Sequence, residues 1–134
     1  MNIKSLIPQR DPIIMIDRII KHSDEKTITS LLINKSNIFV DEDIFQSSGL
    51  IENIAQSSAA RMGMQMIKQG SDPLLGYIAS IKNLIIIRLP NIGETIVTAV
   101  IETYRLNNII VIKGESKVDD IIISSCELKV FIEE

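Results

Sequence analysis

The stretch that decides the fold is residues 47–69, SSGLIENIAQSSAARMGMQMIKQ. Its apolar and small residues recur at spacings of three and four, which places them on one face of a helix. These residues are Ile51, Ile54, Ala55, Ser58, Met62 and Met66. Further small residues, from Ser57 to Ala60 and at Gly63, make the helix slim on several sides. The pattern predicts one long helix that is wrapped closely by a curved sheet.

The two ends of this helix carry their own signals. Ser47 or Ser48 is predicted to cap the start, because a hydroxyl group there accepts a hydrogen bond from an unpaired amide. Residues 70–73, Gly-Ser-Asp-Pro, are predicted to end it, since proline does not continue a helix and glycine tolerates a left-handed exit.

Glu52 and Gln56 are the leading chemical candidates on this helix. They stand four residues apart, so their side chains are neighbours on one face. That face is not the main apolar stripe. The structural alternatives are that Glu52 is a first-turn glutamate stabilised by the helix dipole, and that Gln56 packs against the helix surroundings or faces solvent.

The rest of the chain is rich in isoleucine and poor in aromatic residues, a composition that favours strands. Two strands are predicted before the helix and four after it, at residues 13–21, 27–33, 75–88, 95–106, 109–117 and 121–132. Residues 34–46 are predicted to be irregular. The order indicates an α+β fold, an antiparallel sheet curled around a central helix, as a single domain over residues 1–134.

Bulk properties narrow the functional classes. The net charge is −3 and there is no basic run, which argues against nucleic acid as a partner. Cys126 is the only cysteine, which fits a reducing compartment. Neither a signal peptide nor a membrane span is expected, so the prediction is a cytoplasmic protein.

Two segments resemble the 3-hydroxyacyl-acyl-carrier-protein dehydratases of the FabZ type. The opening, LIPQRDPIIMIDRI at residues 6–19, is similar to that family's Leu-Leu-Pro-His-Arg-x-Pro…Asp-Arg-Val. Residues 50–56, LIENIAQ, resemble its Leu-x-Glu-x-x-Ala-Gln helix. Weaker matches lie at Gly76 and at the Pro90, Gly93, Glu94 hairpin. The resemblance implies a dimeric hotdog fold, a sheet wrapped around a central helix, with no cofactor and no metal.

The departures from that family bear on activity. A histidine-containing Gly-His-Phe-Pro-Gly segment precedes the helix in the dehydratases, whereas residues 37–49 here contain neither histidine nor proline. Gln9 also replaces the histidine of the opening motif. This pattern is closer to the divergent dehydratase-like proteins of aryl-polyene and flexirubin pigment synthesis.

Dehydration of a 3-hydroxyacyl thioester needs a base for the α-proton, an acid for the departing hydroxyl group and donors for the enolate-like oxygen. The resemblance assigns the acid to Glu52, with Gln56 beside it. Amides at the helix start would polarise the carbonyl group, which makes Ser48 and Gly49 substrate-binding candidates. Nothing in the sequence replaces the histidine, so we expect a homodimer or a heterodimer with a paralogous hotdog protein, the latter supplying the base.

The sequence leaves two other functions open. Glu52 would also suit an acyl-thioester hydrolase, and a non-catalytic hotdog subunit is the third possibility. The carrier, acyl carrier protein or coenzyme A, and the chain length are not specified. The remaining chemical groups are more simply structural: His22 in a charged turn, the acidic triplet from Asp41 to Asp43 in a solvated loop, and Cys126 in the core.

Overall fold

The structure, a computed structural model, describes residues 2–71 and 76–133. A short 3₁₀ helix, Ile3–Ser5, is followed by strands β1 (Arg18–His22) and β2 (Lys26–Leu32) and a small hairpin of β3 (Val40–Asp41) and β4 (Ile44–Phe45). Then come the long helix α1 (Ser47–Lys68) and four strands, β5 (Gly76–Ile86), β6 (Thr95–Leu106), β7 (Ile109–Val118) and β8 (Ile121–Ile132). No helix in the described residues is long and apolar enough to cross a membrane.

The long strands form one six-stranded sheet in the order β1-β2-β6-β7-β8-β5, with antiparallel neighbours throughout. Helix α1 packs on its concave side, where Ile54 and Leu128 are both fully buried. The approach is close: a Cβ atom at Gly114 of β7 would lie 2.3 Å from the Ile54 side chain. The predicted α+β arrangement, one helix wrapped by a sheet, is therefore confirmed.

The start of α1 differs from the prediction. The residue that precedes the helix is Gln46, and no side chain caps the first turn. Ser47 and Ser48 lie within that turn and are exposed, so the predicted serine cap is wrong. The reason is that β4 leads directly into the helix. The Gln46 amide donates a hydrogen bond to the Phe39 carbonyl, and this bond fixes where the helix begins.

The end of α1 at Gly70 agrees with the prediction. Gly70 has a φ of +79°, and the Ser71 amide donates to the Met66 carbonyl, which closes the last turn. Asp72 and Pro73, also predicted to end the helix, lie outside the described residues, as does Leu75 at the predicted start of the next strand.

The first strand is the main correction. A strand was predicted over residues 13–21, but β1 covers only Arg18–His22. Residues 13–15 are held by helix side chains instead of by a neighbouring strand. Gln56 bonds the Met15 amide and the Ile13 carbonyl, and Asn53 donates to the Met15 carbonyl. Met15 is buried while Ile13 is 40% exposed, so the segment has the apolar pattern of a strand without a sheet partner.

Residues 34–46, predicted to be irregular, contain the β3–β4 hairpin. Its turn is the acidic triplet, in which Glu42 and Asp43 adopt left-handed φ angles of 49° and 66°. These side chains are exposed. Elsewhere the strand predictions after α1 are confirmed to within a few residues, and β6 turns into β7 at Asn107, where φ is 56°.

Candidate active site around Glu52

Glu52 and Gln56 lie one turn apart on α1, as predicted, and are hydrogen-bonded. The Gln56 amide nitrogen Nε2 donates to Glu52 Oε1 over 2.8 Å. In the described part of the chain, the second carboxyl oxygen, Oε2, accepts no hydrogen bond. One oxygen of Glu52 is therefore fixed and the other is available to a ligand.

Gln56 is held more tightly than Glu52, because all of its polar atoms are used. Oε1 accepts a hydrogen bond from the Met15 amide over 2.6 Å, and Nε2 also donates to the Ile13 carbonyl over 2.8 Å. The side chain is fully buried. These bonds fix which end of the amide faces Glu52. Gln56 therefore positions the Glu52 carboxyl group and has no unpaired polar atom left for a substrate.

In front of Glu52 lies a cavity of about 240 Å³, which we call the Glu52 cavity. The helix contributes the carboxyl group and small or flexible side chains, and β5 and β8 contribute an apolar wall. The lining residues are Gln9, Glu52, Ala55, Ser58, Ala59, Met62, Gly76, Tyr77, Ile78, Leu128 and Val130. Because most of them are apolar, the cavity suits a ligand with a hydrocarbon portion and few polar groups.

Gln9 is a second polar side chain that lines this cavity. Its carbonyl oxygen Oε1 is buried and has no hydrogen-bond partner among the described residues. Burying such an oxygen without a partner costs about 1–3 kcal/mol. In the sequence, Gln9 is only a departure from the family's opening motif, because no local pattern shows that residues 9 and 52 line the same cavity.

Ser48 and Gly49 are placed differently from the expectation. Neither lines the Glu52 cavity within the described residues of this chain. Gly49 is buried against aromatic rings, and a Cβ atom there would lie 2.5 Å from Phe45 Cζ. Its lack of a side chain is thus explained by packing of the β3–β4 hairpin. A role for these residues in substrate binding stays a prediction.

His22 lies beside a different cavity, toward the C-terminal end of α1. Its Nδ1 bonds the Thr27 hydroxyl group, and burial together with the positive charges of Arg61 and Lys68 lowers the pKa of the imidazole. Arg61 itself is buried and donates to the carbonyl groups of Ser23 and Asp24. Within one chain, therefore, the single histidine does not accompany Glu52.

Cys126 is a core residue, as expected. It is 3% exposed, and burial raises the pKa of its thiol to about 11, so it is not a nucleophile at neutral pH.

Comparison with solved structures supports the fold. The chain superposes on a chain of the dehydratase heterocomplex ApeI:P from Xenorhabdus doucetiae with a TM-score of 0.93 at 13% identity, covering 100% of this chain and 92% of that one. It also resembles the PaaI protein of the phenylacetic acid degradation operon of E. coli, with a TM-score of 0.72 at 10% identity, covering 87% and 79%.

A third neighbour is a hypothetical thioesterase from Streptococcus pneumoniae TIGR4, solved with coenzyme A. Its TM-score is 0.68 at 11% identity, covering 87% of this chain and 84% of that one. At these identities the likeness establishes the fold alone. The predicted hotdog fold is confirmed.

Sequence comparison gives the family. No curated protein sequence matches the chain. The family model described as ApeP-like, ApeP dehydratase, matches residues 1–134, the whole chain. The sequence-based expectation of a divergent dehydratase-like protein is thus confirmed, and the chain belongs to the ApeP-like dehydratase family.

Proposed function

We propose that the protein is a divergent 3-hydroxyacyl-thioester dehydratase subunit in fatty-acid or aryl-polyene synthesis, and that it works with a paralogous hotdog partner. The observation that carries the proposal is the Glu52 cavity. It combines a positioned carboxyl group with an apolar wall. Those are two features that a 3-hydroxyacyl group needs: a proton donor at the hydroxyl group and room for a chain.

The reaction would proceed as an elimination. A base removes a proton from the α-carbon, the Cα–Cβ double bond forms, and the Cβ–O bond breaks. Glu52, through Oε2, gives a proton to the departing hydroxyl group, which leaves as water. Gln56 holds Oε1 and so fixes the direction of Oε2. Gln9 lines the same cavity.

The base would come from a second subunit. No histidine lines the Glu52 cavity within the described residues of this chain. The cavity is lined by the start of β5, where Tyr77 is 53% exposed. Strand β5 is an edge of the sheet, and an edge offers unpaired amides and carbonyl groups to a partner strand. A partner seated there would cover the cavity and would bring its own side chains near Glu52.

The exposed apolar side chains of β5 support this assembly. Large apolar side chains are unusually frequent along the strand, and a soluble protein seldom leaves such a row uncovered. They are Tyr77, Ile78, Ile81, Leu84 and Ile85, each more than two-fifths exposed. The neighbour from Xenorhabdus doucetiae is itself described as a heterocomplex. We infer that the partner of this chain pairs along β5.

Replacing Ile85 by lysine should disrupt this assembly. The substitution puts a charge into an apolar contact, and truncation of a central interface residue commonly weakens binding by about tenfold or more. Analytical ultracentrifugation of the full chain, alone and with its partner, would report the loss. The matched control is Ile20→Lys on β1, the opposite edge, where Ile20 is 51% exposed. Intact assembly in Ile85→Lys, or equal loss in both variants, would argue against pairing along β5.

Activity assays would separate the proposed function from its alternatives. The purified chain, alone and mixed with a histidine-containing hotdog paralogue, is given 3-hydroxyoctanoyl and octanoyl thioesters of acyl carrier protein and of coenzyme A. We expect enoyl product from the hydroxyacyl substrate only in the mixture. Release of free thiol from the saturated substrate would indicate a hydrolase using Glu52. No turnover in any mixture would indicate a non-catalytic subunit, a reading that the missing base also favours.

A further inference from the structure

The outer face of the six-stranded sheet, opposite α1, carries most of the charges of the strands. Ile112 and Leu128 lie directly opposite each other and are buried against the helix, so the next residues, Lys113 and Glu127, face outward. The same register places nine charged residues of the strands on the outer face, and we call this surface the basic face. They are Arg18, Lys21, Lys26, Lys82, Lys113, Lys117 and Lys129, with the carboxylates Glu115 and Glu127.

The charge of the basic face is opposite to that of the whole chain. The chain has 14 lysine and arginine residues against 17 aspartate and glutamate residues, which gives a net charge of −3. The basic face holds seven of the cations but only two of the carboxylates, a net charge of +5. Cations are therefore concentrated on one side of the sheet, and the rest of the chain is strongly acidic.

The cations of the basic face are not neutralised by the chain itself. Among the described residues, the ion pairs are made by other cations, as between Lys68 and Asp24. Lys82 and Lys113 flank Glu127 on neighbouring strands, yet neither forms an ion pair with it there. Like charges on one surface repel each other and oppose folding. An anionic partner would remove that repulsion, so the face favours binding to negative charge.

Apolar side chains lie between these cations in rows that cross the strands. In one row, Ile101 lies between Lys26 and Lys113. In another row, Lys117 lies between two aliphatic side chains. Binding to a membrane surface gains from both types of residue, because apolar side chains enter the headgroup region while cations attract anionic lipids. The aliphatic side chains of the two rows are Val97, Ile101 and Ile122, each more than a third exposed.

The cavities at the basic face are poor sites for a compact anion or for an anchoring side chain of a partner protein. One, beside Lys129, has a volume of about 90 Å³, whereas ligand pockets usually have about 300–1,000 Å³. A wider depression touches Lys26 at the end of the face, but three carboxylates also line it: Asp24, Glu25 and Glu102. Protein partners are usually held by large side chains that fill pockets, whereas a lipid surface requires none. The face therefore fits an extended anionic surface best.

We propose that the basic face docks the protein on a lipid bilayer that contains anionic phospholipids, with the lysine side chains at the lipid phosphates. The proposal is independent of the proposed function, because α1 and the Glu52 cavity lie on the other side of the sheet. A partner that pairs along β5 extends the sheet at its edge and leaves the basic face uncovered. Each cation near an anionic bilayer strengthens binding by about fivefold.

The first test is sedimentation of the full chain, in the assembly in which it purifies, with lipid vesicles. Vesicles of phosphatidylcholine with about one-third phosphatidylglycerol are compared with vesicles of phosphatidylcholine alone. We expect binding to the anionic vesicles, and we expect it to be lost between about 0.1 M and about 1 M salt, because the screening length falls from about 10 Å to about 3 Å. Equal binding to both kinds of vesicle, or binding to neither, would overturn the proposal.

A triple substitution locates the contact. Replacing Lys113, Lys117 and Lys129 together by glutamine removes three of the cations, and we expect binding to the anionic vesicles to weaken by about a hundredfold. The matched control replaces three exposed lysines outside the face by glutamine and so has the same net charge: Lys4, Lys35 and Lys68. Binding of the control should stay within about threefold of the wild type. Equal losses in the two variants would overturn the proposal, since net charge alone would then explain the binding.

A second measurement uses the wild-type protein and does not depend on folding of a variant. Lysine side chains are acetylated with a water-soluble ester, with and without the anionic vesicles, and the modified peptides are quantified by mass spectrometry. We expect the vesicles to protect Lys113, Lys117 and Lys129 but not Lys4 or Lys35. Protection of the opposite set would overturn the proposal. So would tighter binding to soluble duplex DNA or polyglutamate than to vesicles at equal anion concentration, because the face would then belong to a soluble partner.

Discussion

Replacing Glu52 by glutamine should lower dehydration by the assembled enzyme by about 10²–10⁴-fold, the usual effect of losing a positioned general acid. The substitution keeps the size of the side chain and its hydrogen bond from Gln56, because the new amide retains a carbonyl oxygen that accepts from Nε2. It removes the ability to give a proton to the leaving hydroxyl group. Steady-state formation of the enoyl thioester, with the partner present, measures the effect.

The control for Glu52→Gln is Glu25→Gln, in the exposed turn between β1 and β2. Thermal unfolding of both variants should match the wild type, and binding of a saturated acyl thioether should change little, because the apolar wall is intact. If the assembly with Glu52→Gln turns over at the wild-type rate, the acid belongs to the partner subunit and this chain has a supporting role. A loss of binding without a loss of turnover would likewise remove Glu52 from proton transfer.

Replacing Gln56 by leucine should destabilise the folded chain strongly. Leucine has a similar volume but leaves the Met15 amide and the Ile13 carbonyl group without their partners. Each buried backbone group left unpaired costs about 1–3 kcal/mol, so we expect the free energy of unfolding to fall by about 2–5 kcal/mol. Urea unfolding, followed by circular dichroism, would show a lower midpoint.

The matched control for Gln56→Leu is Gln65→Leu, on the same helix. Gln65 is partly exposed, and its side chain makes no hydrogen bond within the described residues. Its replacement should change the free energy of unfolding by less than about 0.5 kcal/mol. Equal midpoints for the two variants would mean that residues 13–15 do not depend on Gln56. If the Gln56→Leu protein is fully folded but less active, the Gln56 amide is also needed to orient Glu52.

Much of the fold followed from local patterns. The apolar spacing of residues 47–69 predicted α1 to within one residue, and the alternating runs after it predicted β6 and β8 with their observed bounds. Such patterns are reliable because a helix or strand that buries one face must repeat with the period of its backbone. The pairing of Glu52 with Gln56 followed for the same reason, since it depends only on helix geometry.

Two errors show where local patterns fail. Residues 13–15 have the apolar run of a strand, but Asn53 and Gln56 supply their hydrogen bonds from a helix that comes some forty residues later. The serine cap failed because β4 delivers the chain into the first helical turn with Gln46 at the boundary. In both cases the deciding partner lies outside the window that a sequence pattern covers.

The sequence by itself determined the central helix, the succession of strands, the family and the position of Glu52, because each of these depends on residues that are close together in the chain. Only the tertiary structure decided that Gln9 and Glu52 line one cavity, that Gln56 bonds residues 13–15 and that His22 lies beside another cavity. It also decided that Met62 lines both cavities. The physical reason is that a site is a set of contacts between distant segments, and those contacts exist only after the sheet has closed around the helix.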